Sequence, residues 1–233
     1  METLPATKEG AADVAKLATG VAAAVAGIFF PLSGALGPIA AFAIDKFVKR
    51  PEKILIDEMR RGNFDALSEE NAAAFVPMAY RFFEAAKEGE YEHVLRVLAE
   101  LLKNEMQSEA PDASAFARMS RRVQGLTRDE LKVIALIHAS LTTMAFAATG
   151  EQSRGDRPYV SAHTLAIDPS NKEEFDHFTL QESLSDLAGR GLLVVDGSSS
   201  FNKSGEYYFA SSSFQALIEK ANDSLIASAS DGQ

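Results

Sequence analysis

The stretch Tyr91-Glu-His-Val-Leu-Arg-Val-Leu-Ala-Glu-Leu-Leu-Lys-Asn-Glu-Met106 decides how the chain is read. Tyr91, Val94, Leu95, Leu98, Leu101 and Leu102 recur at spacings of three and four, which puts them on one face of a helix over residues 90–106. A face that apolar has to be covered, so the flanking segments are expected to be helices packed against it.

The flanks carry the matching signals. Ser68 as N-cap, with Glu69 and Glu70 in the first turn, predicts a helix to Lys87 that stops at Gly89, with a kink or boundary at Pro77. Upstream, Ile54, Leu55, Glu58 and Met59 predict a short amphipathic helix over 52–61 that ends at Gly62-Asn63. Downstream, Gln107–Ser114 is a polar break, and Ala115–Val123 is a short helix with three arginines, Arg118, Arg121 and Arg122.

Thr127-Arg-Asp-Glu130 is a capping box: the Thr hydroxyl accepts from the amide three residues on, and the Glu carboxylate reaches back. It starts a helix to about Ala148, followed by loops at 150–161 and 168–174. A helix Leu180–Gly189, an apolar run Leu192-Leu-Val-Val195, the turn-prone Asp196-Gly-Ser-Ser-Ser200, a run Tyr207-Tyr-Phe209 and a helix Ser211–Ala221 complete the order. The tail from Ala227 is expected to fray. That order is the order of a winged-helix-like module.

Residues 17–44 pose a different question, because they hold no charged residue in 28 positions. The flanking charges Glu2, Glu9 and Asp13 against Lys8 and Lys16, and Pro38 after Ala35-Leu-Gly37, do not suit a cleaved secretory signal, so the segment reads as retained. An arm over 9–30 carries Gly20 and Gly27 one heptad apart, which suits close helix packing. Pro31 ends it, Ser33-Gly34 turns, and a second arm from Leu36 to Arg50 carries Pro38 near its start and stops before Pro51. This is a helical hairpin. A single spanning helix needs about 20 apolar residues, and the prolines leave uncharged arms of 14 and 9. Two readings stay open: a hairpin that meets a membrane, helped by Lys46, Lys49, Arg50 and Lys53 at headgroup level, or one buried in the soluble fold.

The helix Tyr91–Met106 together with Ser114-Ala-Phe116, Gly125-Leu-Thr-Arg-Asp-Glu-Leu131, Gly191-Leu-Leu193 and Tyr207-Tyr-Phe209 resembles the bacterial abortive-infection alpha-like family over about residues 65–221. The chain departs from the family pattern at Ser211-Ser-Ser-Phe214, where a Thr and a Gly are expected. The resemblance implies a mostly helical fold, a role in phage defence or growth arrest, and no catalytic residue.

Composition narrows the chemistry. With 46% hydrophobic and 24% charged residues the chain has the apolar area to fold, and with no Cys it lacks disulfides, thiolate catalysis and Cys-ligated metals. The net charge of −10 argues against general nucleic-acid binding, and from Thr127 onward 8 cations face 15 acids. Glu90-Tyr-Glu-His93 has the spacing of a di-iron ligand pair, with Glu84 and Glu88 nearby, but the second such pair is missing among the four His. His138, mid-helix, reads as a core histidine before it reads as a general base.

The expected protein is therefore mainly α: an apolar helical hairpin (1–50), a helical domain (51–124) and a winged-helix-like α+β module (125–233). It is expected to be a cytoplasmic, non-enzymatic interaction protein without cofactor or small-molecule substrate, placed in the cytoplasm or at the inner face of the membrane. Gly20, Gly27, Phe29, Phe30, Pro31, Gly34, Leu36, Pro38, Phe42, Lys46, Lys49 and Arg50 would mediate membrane contact or self-association. Arg118, Arg121 and Arg122 would meet an anionic partner. A protein partner or a homo-oligomer is expected, and the alternatives are a winged-helix transcriptional regulator or a soluble protein-binding module.

Overall fold

The helix that opened the sequence reading is the centre of the N-terminal half. The computed structural model describes residues 16–24, 45–61, 69–146, 158–167, 175–196 and 207–230. By internal contacts the chain divides into two units, Met1–Gly125 and Leu126–Gln233. The fold is mainly helical, with a small two-stranded sheet near the C-terminus.

In the first unit, helical residues 16–24 (α1) are followed by a π-helical turn, Asp45–Lys49, which runs into α2 (Arg50–Met59). Then come α3 (Glu69–Glu88), α4 (Glu92–Met106) and α5 (Ala113–Val123). Helices α2, α3 and α5 all pack on α4. Its expected stripe of Val94, Leu95, Leu98, Leu101 and Leu102 is buried, and so are Val97, Ala99 and Met106, because three neighbours cover more than one face. Tyr91 is the exception: it stands at the N-cap, 67% exposed, and does not join the apolar stripe. Helix α3 supplies Phe75, Met78, Phe82 and Phe83, each fully buried and each contributing roughly 1.5–3 kcal/mol of burial.

The expected stop before Pro51 is corrected, and at Pro77 the boundary is excluded. No break precedes Pro51: Lys49 is in right-handed helical geometry and Pro51 lies in the first turn of α2, where the fixed φ of proline suits the helix. Pro77 sits inside α3 as one helix. Both Pro77 and Ala73, the residue whose carbonyl loses its donor, are exposed, so water can take that carbonyl. Gly89 ends α3 as foreseen, at φ +94°, with its amide on the Ala86 carbonyl and that of Glu90 on the Ala85 carbonyl.

Buried charge ties α2 to α4. Lys103 Nζ donates to Glu58 Oε1 at 2.7 Å, with side chains only 10% and 8% exposed, and Glu100 lies 4.0 Å away. At the other end of the pair, Arg50 is bound to Glu92. Residues 50 and 58 thus meet 92 and 103 in the same order, which makes α2 and α4 run parallel. Buried Glu105 accepts from the Asp112 amide at 2.9 Å, and Asp112 in turn caps α5 at the Ser114 amide.

In the second unit, the Thr127–Glu130 capping box forms in both directions, at 3.1 and 2.6 Å, and begins α6 (Arg128–Phe146). A short helix that periodicity does not announce, α7 (Ala162–Ile167), is set by Ser161 and Thr164, which accept from each other's amides. Helix α8 (His177–Gly189) starts three residues before its expected position because Asp176 caps the Thr179 amide. Strands β1 (Leu193–Asp196) and β2 (Tyr207–Ala210) pair antiparallel, Val195 opposite Tyr208, and Val160 forms a bridge to Tyr208 from the other side. Helix α9 (Ser212–Ser230) extends beyond Ala221, where the backbone leaves helical geometry at φ −143°, and residues 227–230 are helical where fraying was expected.

Removing Lys103 takes from buried Glu58 its 2.7 Å partner and from buried Glu100 a cation at 4.0 Å, leaving Glu58 only the exposed Arg61 as a cation, so Lys103→Ala is expected to destabilise the N-terminal unit by about 3 kcal/mol. Denaturant unfolding followed by helical circular dichroism checks it. A loss below about 1 kcal/mol, the scale of an exposed pair, contradicts the structural role given to the pair.

Candidate functional site

The segment from Asp45 to Arg61 has two opposite faces. Val48, Pro51, Leu55, Glu58 and Met59 are buried, while Lys46, Lys49, Arg50, Lys53, Asp57, Arg60 and Arg61 are exposed. Successive exposed positions differ by three, one, three, four, three and one, so they form one stripe along the helix. Among the described side chains it holds six cations and one acid, in a protein of net charge −10. Arg60 and Arg61 belong to it unforeseen. The signal was in the spacing, but the expected break at Pro51 hid it.

The charged partners of this stripe are the part-exposed Glu92, the exposed Asp57 and the buried Glu58. Arg50 pairs with Glu92, Arg61 with Glu58 at 3.1 Å, and Arg60 with Asp57 at 3.9 Å. The Lys46 ammonium lies 5.3 Å from the Phe47 ring centre. Beside the stripe runs a groove of about 320 Å³, lined by Lys46, Phe47, Arg50, Pro51, Ile54, Leu95 and the α3–α4 corner, Gly89 to Glu92. The acids of that corner are engaged: Glu90 accepts from the Gly125 amide at 2.7 Å, and Glu92 is held by Arg96 and Arg50. The Arg96 hydrogen bond, seconded by Arg50, keeps the Glu92 carboxyl below its ordinary 4.5.

In the second unit a wider cleft of about 850 Å³ lies between α6 and α9. Leu141, Pro158, Phe209, Phe214 and Ile218 line it, with His138 and Glu219 among its polar groups. On α8, Leu180, Ser183, Leu184 and Leu187 face inward, and Phe178, Glu182, Ser185 and Asp186 face solvent, Phe178 at 83% exposure. Arg190, at the end of α8, is turned to Glu130 at 3.6 Å. The chain matches no family model, no curated protein and no solved structure.

The residues proposed from sequence are placed unevenly. Gly27, Phe29, Phe30, Pro31, Gly34, Leu36, Pro38 and Phe42 lie outside the described residues. Gly20 is exposed in α1, and a Cβ added there would meet no atom within 4 Å, so no close helix approach is made at that glycine among the described residues. Lys46, Lys49 and Arg50 fall on the cationic stripe. Arg118 is bound to Ser114 at 2.7 Å and lies 3.8 Å from Asp112, Arg121 is exposed and Arg122 half-buried. His93 stacks on Tyr91, with ring centres 5.4 Å apart, and among the described residues no three His, Asp or Glu gather as a metal site. No helix of the described residues is long and apolar enough to cross a membrane.

Since the folded Glu92 carboxyl lies below 4.5, its stabilising effect is full above that pH and is lost as pH falls through the lowered value. Glu92→Gln is therefore expected to be less stable at neutral pH and to lose less stability than the wild type between neutral pH and pH 3. Parallel acid-unfolding curves for the two proteins contradict this.

Proposed function

We propose that this chain is a non-enzymatic interaction protein, with a winged-helix-like C-terminal unit that meets protein and an N-terminal region that mediates membrane or self-association. The order α6, bridge strand at Val160, α7, α8, β1, β2 supports the winged-helix reading, with α8 in the place of the recognition helix. One observation carries the choice of partner: the exposed side chains of α8 are His177, Phe178, Glu182, Ser185 and Asp186, with no Lys or Arg among them. A groove-reading helix needs cations against phosphate, whereas an exposed aromatic ring between acids suits a protein surface.

The transcriptional-regulator alternative draws on Arg118, Arg121 and Arg122, which lie on α5 of the other unit. The purified protein is expected to leave a random duplex unshifted at low salt. A salt-dependent shift, lost on Arg121→Ala/Arg122→Ala, overturns the protein-partner reading in favour of the regulator.

For the N-terminal region, the 28 uncharged positions from Leu17 to Ile44 support membrane contact or self-association of a cytoplasmic protein, at the inner face of the membrane. The abortive-infection resemblance supports phage defence or growth arrest as its setting. Phe29→Asp/Phe30→Asp is expected to abolish liposome flotation or oligomer formation. Flotation and sedimentation both unchanged in that variant contradict the role of the region.

A further inference from the structure

We propose that the exposed stripe of Lys46, Lys49, Arg50, Lys53, Arg60 and Arg61 is a docking face for an anionic phospholipid surface. The inference rests on the membrane-association reading of the N-terminal region and names the surface it meets.

The stripe is built, not scattered. Its cations are held outward because the opposite side of the same helix is locked inward by Leu55, Met59 and the Glu58–Lys103 bond. From Lys46 to Arg61 the helix advances roughly 22 Å at about 1.5 Å per residue, so all six cations can meet one planar surface. Among the described side chains Asp57 is the single acid on that line, and the nearby Glu92 keeps Arg96 as a partner at 2.8 Å when Arg50 exchanges. The ion pairs of Arg50 and Arg60 are exposed, hence weak in water and open to exchange with lipid phosphate.

Charge alone fits any polyanion; the neighbours of the stripe favour lipid. Half-buried Phe47 and Ile54 flank it and line the groove at its edge, so apolar surface lies beside the cations, as in helices that rest at the headgroup boundary. The stripe also begins two residues after the last of the 28 uncharged positions, which places any apolar anchor and the cationic face next to each other in the chain. Against an extended nucleic acid, the excess of negative charge over the rest of the protein opposes binding. A membrane sees only the face turned to it.

Flotation of the full-length protein tests this, with phosphatidylcholine vesicles, the same vesicles containing phosphatidylglycerol, and a random DNA duplex as the rival polyanion. Flotation with the anionic vesicles only, weakened by salt, is expected. Lys49→Gln/Lys53→Gln, which changes two exposed side chains, should lower that partitioning roughly thirtyfold, at about fivefold per cation. Equal flotation with neutral vesicles overturns the stripe but leaves the apolar segment as a membrane element. Anionic binding unaltered in the variant overturns the stripe too. Tighter retention on the duplex than on anionic vesicles assigns the face to nucleic acid. Flotation with neither vesicle overturns the proposal together with the membrane half of the reading on which it rests, and leaves self-association to be judged by sedimentation.

Discussion

The bond between Lys103 and Glu58 sets the N-terminal unit. Charges withdrawn from water are tolerated there because Lys103 meets Glu58 at 2.7 Å and lies 4.0 Å from Glu100, while Arg61 reaches Glu58 from the surface at 3.1 Å. An apolar helix face can slide or rotate against another at little cost, but a buried ion pair cannot, since rotation strands a charge. The pair therefore fixes which side of α2 turns inward, and so which side carries the cations outward. Core and surface of that helix are one decision.

A related device organises the C-terminal unit with less burial of charge. Glu130 closes the cap of α6 and also faces Arg190 at the end of α8, so a local helix-start signal becomes a contact between two helices. Gly191 takes φ +73° to end α8, with the Leu192 amide on the Leu187 carbonyl and both side chains buried. That turn aims the chain into β1. Tyr208 then fills the space between sheet and helices, fully buried, with its hydroxyl accepting from Gln181 at 3.1 Å.

Helix α4, the capping box and the glycine stop at Gly89 were legible because each is a short-range pattern whose physics stays within a turn or two. The misreadings share one cause. Local preference misplaces Pro51 and Tyr91, and each is resolved by what surrounds it: a first-turn position and an N-cap away from the core. Arg60 and Arg61 were lost from the cationic stripe through the same error, since a break assumed at Pro51 hides a periodicity that runs across it. The short helix α7 lacks an apolar period altogether and rests on the reciprocal Ser161–Thr164 bonds.

By itself the sequence determined that this protein is mainly helical, where most of its helices begin and end, and that its chemistry excludes thiols. Those properties follow from periodicity, caps and composition, which act over a few residues. Only the tertiary structure decided that Lys103 and Glu58 meet across 45 residues, that the helix runs through Pro51 with its cationic side left uncovered, and that α8 turns Phe178 and its acids to solvent. Whether a charged residue is a core lock or a surface contact depends on which neighbour covers its helix. Spacing along one helix carries no information about that neighbour.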